Sequence, residues 1–93
     1  MVFQITYDIN KNVNDYSRFY DAIKSIGSSY RQPLENSWFI SSHDSNIDSN
    51  KIVEQLKPYL FKNDHLFVSN INKELSIQGW LSGSFWDWLK TEL

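Results

Sequence analysis

The chain contains no cysteine. That excludes disulfides, thiolate zinc sites and cysteine nucleophiles, so stability has to come from packing. No apolar run approaches the 18 or more residues of a membrane span, so no membrane association is expected. The opening MVFQITYDIN carries no basic leader ahead of a long apolar stretch, so a signal peptide is not expected and a cytoplasmic location is. Positive charge is also scarce. Nine Lys+Arg stand against eleven Asp+Glu, for a net charge of −2, and only Arg18 and Arg31 are arginines. This argues against a polycationic coat for nucleic acid, though not against a few cations gathered in one groove. With 93 residues, one domain spanning 1–93 is expected. A chain of this size buries only roughly 65% of the surface its unfolded form exposes. What the chain does have is aromatic residues: fifteen of them, four being tryptophan.

Residues 2–9 alternate, with Phe3, Ile5, Tyr7 and Ile9 on one face and Val2, Gln4, Thr6 and Asp8 on the other. That pattern predicts a strand with one buried face. Over 15–26, Tyr16, Phe19, Tyr20, Ile23 and Ile26 form a helical stripe, capped by Asn14 or Asp15 and stopped by Gly27. Residues 28–42 read as a hairpin turning at Glu35-Asn36, with Pro33 marking its first arm as an edge strand or bulge. Asp48 or Ser49 caps a second helix bearing Ile52, Val53, Leu56, Tyr59 and Leu60, and Pro58 disturbs its last turn. Residues 65–72 read as a final strand. The order β-α-β-β-α-β predicts an α+β, ferredoxin-like sandwich: a four-stranded antiparallel sheet with two helices on one face. Residues 79–93, GWLSGSFWDWLKTEL, lie outside that plan. Ser84 is placed as the cap of a short helix with Phe85, Trp88, Leu89 and Leu93 on one side. A helix of about ten residues is not stable alone, so it must dock on its own sheet or on a second subunit.

The helices leave the other sheet face open to a ligand or another chain. An RNA-recognition motif shares this topology but needs stacking aromatics on strands 1 and 3 of that face. Strand 1 supplies none. Strand 3 offers Phe39, or Trp38 in the opposite register, and the sequence pattern of that motif is absent. Asp8, ending the first strand before an Asn-rich loop, can reach a hard divalent cation. Mg²⁺ typically takes one or two carboxylates and keeps several waters, so two Asp8 side chains meeting across a two-fold axis would suffice. The alternative is that Asp8 caps its own loop.

The strand ITYDI ending in Tyr7-Asp8-Ile9, the helix DYSRFYDAIKSIG, the hairpin strand SWFIS and the GWL…FWDWLK tail together resemble the CRISPR-associated small endoribonuclease and adaptation family. This is the non-integrase partner of the spacer-integration complex. The similarity is closer to short stand-alone relatives, some described as SinR-like, and spans about residues 2–93. The resemblance implies a homodimer whose sheets pack together, with Mg²⁺ or Mn²⁺ at the paired Asp8 positions, no organic cofactor, and phosphodiester cleavage or nucleic-acid binding. It makes Asp8 the metal ligand and catalytic residue, with Tyr7 beside it. It matches Phe39 to the phenylalanine of a Ser-x-Phe strand, and Arg31 and Arg18 to basic residues that would hold nucleic acid. Against the family pattern, the first helix has few basic residues. The tryptophan tail stands in or beyond the place of the family's C-terminal strand, so docking of the CRISPR integrase partner has no support in the sequence.

Trp80, Trp86 and Trp88 are expected to be core or subunit-interface residues, because tryptophan is enriched at buried anchors. His43-Asp44 and Asp64-His65 are expected to be solvated turn residues. Lys11, Lys62 and Lys73 could serve a groove if the fold gathers them. Two other functions fit the sequence: a non-catalytic dimeric interaction module, or a toxin-like ribonuclease.

Overall fold

A computed structural model describes residues 1–73 and 76–93. Its elements are β1 (Val2–Asp8), α1 (Ser17–Lys24), β2 (Ser29–Leu34), β3 (Ser37–Ser41), α2 (Ser49–Leu56), β4 (His65–Asn70) and α3 (Gly83–Glu92). Short 3-10 turns follow α2 and β4. The four strands form one antiparallel sheet in the order β2-β3-β1-β4. This is the α+β, ferredoxin-like arrangement the pattern predicts, with α3 added to it.

The alternation in β1 sorts the side chains as expected. Phe3, Ile5 and Tyr7 join Trp38 and Ile40 of β3 in a core against Phe19 and Ile23 of α1 and Ile52 and Leu56 of α2. The helix starts differ in detail. Tyr16 occupies the N-cap of α1, and the Asp15 carboxylate instead accepts the Ser17 amide at 2.9 Å, which holds the Asp15 carboxyl below its ordinary range. Asp48 caps α2 by accepting the Lys51 amide. After Leu56 the chain tightens into a 3-10 turn at Pro58, which swings Tyr59 out to solvent rather than onto the apolar stripe.

Gly27 does not end α1 through a left-handed conformation; among the described residues none has a positive φ of that kind. Its role is close approach. A Cβ built there would lie 2.2 Å from the Ser41 carbonyl oxygen and 2.7 Å from Ile40 Cγ2. Pro33 lies in β2, which is an edge strand, and the register slips between Arg31 and Leu34 as a bulge.

The tail settles on its own sheet. Ser82, rather than Ser84, caps α3 by accepting the Phe85 amide at 3.2 Å. Phe85, Trp88 and Leu89 then bury against Val2, Phe39 and Ile71 in a second core on the opposite side of the sheet from α1 and α2. Fully burying a Phe-sized side chain is worth about 1.5–3 kcal/mol, so this contact supplies the stability that a ten-residue helix lacks by itself. Leu93 lies outside the contact and is exposed.

Candidate functional site: the open sheet face

α3 divides the open face in two. At one end, Val2, Phe39 and Ile71 are covered. The remainder presents Gln4, Thr6 and Asp8 of β1, with Ser69, Phe67 and His65 opposite them on β4. On the β3 side, Ser37 ties this surface together. Its hydroxyl accepts from the Gln4 amide at 3.2 Å and lies 3.3 Å from the Thr6 hydroxyl. Leu34 and Phe67 remain half or more exposed, and Trp80 is wholly so. A cleft of about 490 Å³ runs between Gln4, Ser69 and Phe39 on the sheet and Trp80, Leu81 and Trp86 in the tail.

Asp8 stands at the end of β1 farthest from Val2 and α3, and it is exposed. Beside it the loops at Ile9–Asn14 and Phe61–Asp64 enclose a hollow of about 640 Å³, with Lys62 on its wall. Lys11 is committed elsewhere: its ammonium pairs with Glu35 at 2.5 Å, which raises the lysine pKa and lowers that of the carboxyl. Asp64 is not a free turn carboxylate. Both of its oxygens lie 2.8 Å from the Tyr16 hydroxyl, and one also accepts the Phe61 amide. His65 is not a turn residue either. It opens β4 as the direct cross-strand partner of Asp8. The alternating strand pattern over 65–72 held the signal for this. Pairing that strand antiparallel to β1 brings its first residue to the last residue of β1. His43 and Asp44 do lie in a turn, where the Asp44 carboxylate accepts the Asn46 amide.

Tyr7 points the other way, into the helical core. Its hydroxyl accepts the Trp38 indole N–H at 2.8 Å and donates to the Glu35 carbonyl at 3.3 Å. Burial is the main reason its pKa is pushed up to about 12. Tyr7 therefore stays a neutral phenol at any physiological pH and fixes the strand end rather than exchanging protons. Because the folded pKa exceeds the unfolded value, this stabilisation is intact below about pH 10 and is lost as pH rises through about 12. An excess loss on the order of 2 kcal/mol across that window is expected for the wild type, compared with Tyr7→Phe, by denaturant titration at successive pH values. Equal pH slopes for the two proteins would contradict this role. At neutral pH Tyr7→Phe leaves the Trp38 N–H without its acceptor, a cost of about 1–3 kcal/mol.

The other sequence-derived candidates do not converge on Asp8. Phe39 faces the open side but is only 7% exposed, with the Phe85 ring set edge-on against it at 4.8 Å. A base could stack there only after α3 moved. Arg31 lies on the edge strand β2 with its guanidinium over the Trp88 ring at 5.2 Å. Arg18 is on α1, in the layer behind the sheet, beside a cleft formed with Asp15 and Pro58–Phe61. Trp88 is buried, and its indole donates to the Ser29 hydroxyl at 2.8 Å. Trp86 is half-buried at the edge of the same cluster, while Trp80 is free at the rim of the cleft. Among the described residues, no three His, Cys, Asp or Glu side chains of one chain gather as a metal cluster. Asp8 and His65 stand as a cross-strand pair. Among the described residues, no helix is long and apolar enough to cross a membrane. Comparison of the chain with protein-family models, with curated proteins and with solved structures gives no match.

Proposed function

We propose that this protein acts as a homodimer whose open sheet faces meet over the half that α3 leaves bare, bringing two Asp8 carboxylates together as a Mg²⁺ or Mn²⁺ site that acts on phosphodiesters of nucleic acid. The observation that carries this reading is the position of Asp8. It is an exposed carboxylate at the end of the central strand, on the open face, clear of the tail. Exposed Leu34, Phe67 and Trp80 supply apolar surface for a partner, and no charged side chain of β1 or β4 stands between them and Asp8. A bound divalent ion would activate water and stabilise charge on the phosphate. The chain's own part is to hold the carboxylates at fixed strand ends, which the Tyr7–Trp38 hydrogen bond stiffens from behind. The resemblance to the CRISPR-associated family agrees with this arrangement.

Asp8→Ala is expected to lower Mn²⁺- or Mg²⁺-dependent cleavage of RNA and DNA by about 10²–10³-fold, a typical cost of removing one group that stabilises transition-state charge. Light scattering should give twice the 11.0 kDa chain mass for both proteins. Equal metal-dependent cleavage by the variant removes the mechanism.

A second reading has its own support. Arg31 is engaged with Trp88, Arg18 lies behind the sheet, and Phe39 is under Phe85. The groups that would hold a nucleic acid are therefore dispersed. A non-catalytic dimeric interaction module fits that dispersal. A stable dimer that binds neither metal nor nucleic acid would favour it.

A further inference from the structure

We infer that His65 is the second ligand of the Asp8 site, and that the site is accordingly built for a transition ion of the Mn²⁺, Co²⁺ or Zn²⁺ class rather than for Mg²⁺. The inference rests on the metal-site reading above and adds a residue and an ion preference to it. Asp8 and His65 face each other directly across the β1–β4 ladder. Directly opposed residues in an antiparallel pair project from the same face with Cβ atoms about 4.5–5.5 Å apart. One ion takes an imidazole nitrogen at about 2.0–2.1 Å and a carboxylate oxygen at about 2.0–2.2 Å, which a pair at that separation can supply by leaning together. Both residues are exposed, and among the described residues neither side chain is spent on an ion pair. Nearby Asp64, the other carboxylate beside the hollow, is already occupied by Tyr16 and Phe61.

Ligand chemistry sets the preference. Mg²⁺ is bound through oxygen and keeps its waters, whereas imidazole favours borderline ions. One chain offers two ligands, and a two-fold related copy offers two more. Two histidines and two aspartates leave room for a water on an ion that takes five or six ligands, as Mn²⁺ does, or on a tetrahedral Zn²⁺ or Co²⁺ held by three of the four. The backbone supports the pair well. Both ligands sit on hydrogen-bonded strand ends, with Tyr7 and Leu66 anchoring the adjacent positions on the core side.

The test is titration of the full chain with Co²⁺, followed by its visible absorption, and with Zn²⁺, Mn²⁺ and Mg²⁺ by calorimetry. Wild type, Asp8→Ala, His65→Ala and, as a control, His43→Ala would be compared. The wild type should bind Co²⁺ and Zn²⁺ more tightly than Mg²⁺, at one ion per two chains. Changing a residue that only supports a ligand typically costs 10–100-fold in affinity, so losing the ligand His65 should cost at least about tenfold for Co²⁺ and Zn²⁺. Mg²⁺ binding should change less than twofold in His65→Ala, and His43→Ala should match the wild type throughout. Unchanged Co²⁺ affinity in His65→Ala, with loss in Asp8→Ala, overturns the role of His65 while leaving the Asp8 site standing. No binding of any ion by the wild type overturns both. One ion per chain, lost in both variants, supports the chelating pair and overturns the shared site of the dimer.

Discussion

Gly27→Ala is expected to lower the thermal midpoint by roughly 12–24 °C. The new methyl group would lie 2.2 Å from the Ser41 carbonyl oxygen, and that atom cannot simply rotate away. It belongs to β3 and accepts the Ser28 amide at 2.9 Å. Overpacking usually costs about 1–3 kcal/mol, and an obstacle made of backbone places this site at the upper end. For a domain of this size, each kcal/mol moves the midpoint by about 4–8 °C. Gly83→Ala is the contrast. A Cβ at Gly83 meets nothing within 4 Å, and the position lies in α3. There alanine should be neutral or stabilising by up to about 1 kcal/mol. Circular dichroism melts of the two variants, side by side, separate a packing glycine from a merely permissive one. Matching midpoints for Gly27→Ala and the wild type would show that the strand and the α1 connection can part without cost.

Phe85→Ala is expected to release α3 rather than unfold the domain. Phe85 sits at the centre of the second core, against Phe39 at 4.8 Å and Trp88 at 6.0 Å. Truncating a buried phenylalanine costs about 3–5 kcal/mol. Phe85, Trp88 and Leu89 are the buried side chains of α3, each worth a few kcal/mol at most, with partly buried Trp86 and the Trp88–Ser29 and Ser41–Glu92 hydrogen bonds beside them, so the loss is a large share of the docking energy. The first core shares no buried residue with this cluster and should persist. Limited proteolysis should then cut within residues 76–93 while a fragment carrying the sheet, α1 and α2 survives. Tryptophan emission should shift to the red as Trp88 meets water, and release of Phe39 and Arg31 should strengthen binding to single-stranded RNA if those residues have that capacity. A cooperative loss of the whole far-ultraviolet signal at the same temperature would instead make α3 an integral part of one folding unit.

Much of this architecture was legible because single faces are legible. Phe3, Ile5 and Tyr7 alternate with Gln4 and Thr6, and the stripe of Tyr16, Phe19 and Ile23 repeats at helical spacing, so each element declares its buried side. β3 shows where such reading ends. All five of its residues, Ser37–Ser41, are buried. It has the first core on one face and α3 on the other, so no polar alternation remains to show that Trp38 points to the helices and Phe39 away. The same tail that erased the pattern could not be placed from sequence, since an apolar stripe reports that a helix docks but not where. For the candidate site, the position of Asp8 followed from its strand. The partnership with His65 needed one thing more than the strand pattern over 65–72, the register between two strands separated by most of the chain. Gly27 was legible as a special position, though for a different physical reason from the one helix endings suggest.

The central placement of β1 also bears on how the chain reaches this state. Its neighbours on both sides, β3 and β4, come later in the sequence, and the second core over Val2 waits for α3, the last of the described elements. Contacts between distant segments close slowly, because loop entropy is lost before the pairing rewards it. During synthesis, VFQITYD is made before both strands that flank it and before the helix that covers Val2. For that interval it is an apolar strand with two open hydrogen-bonding edges, and in a growing chain it is the segment with most cause to be shielded.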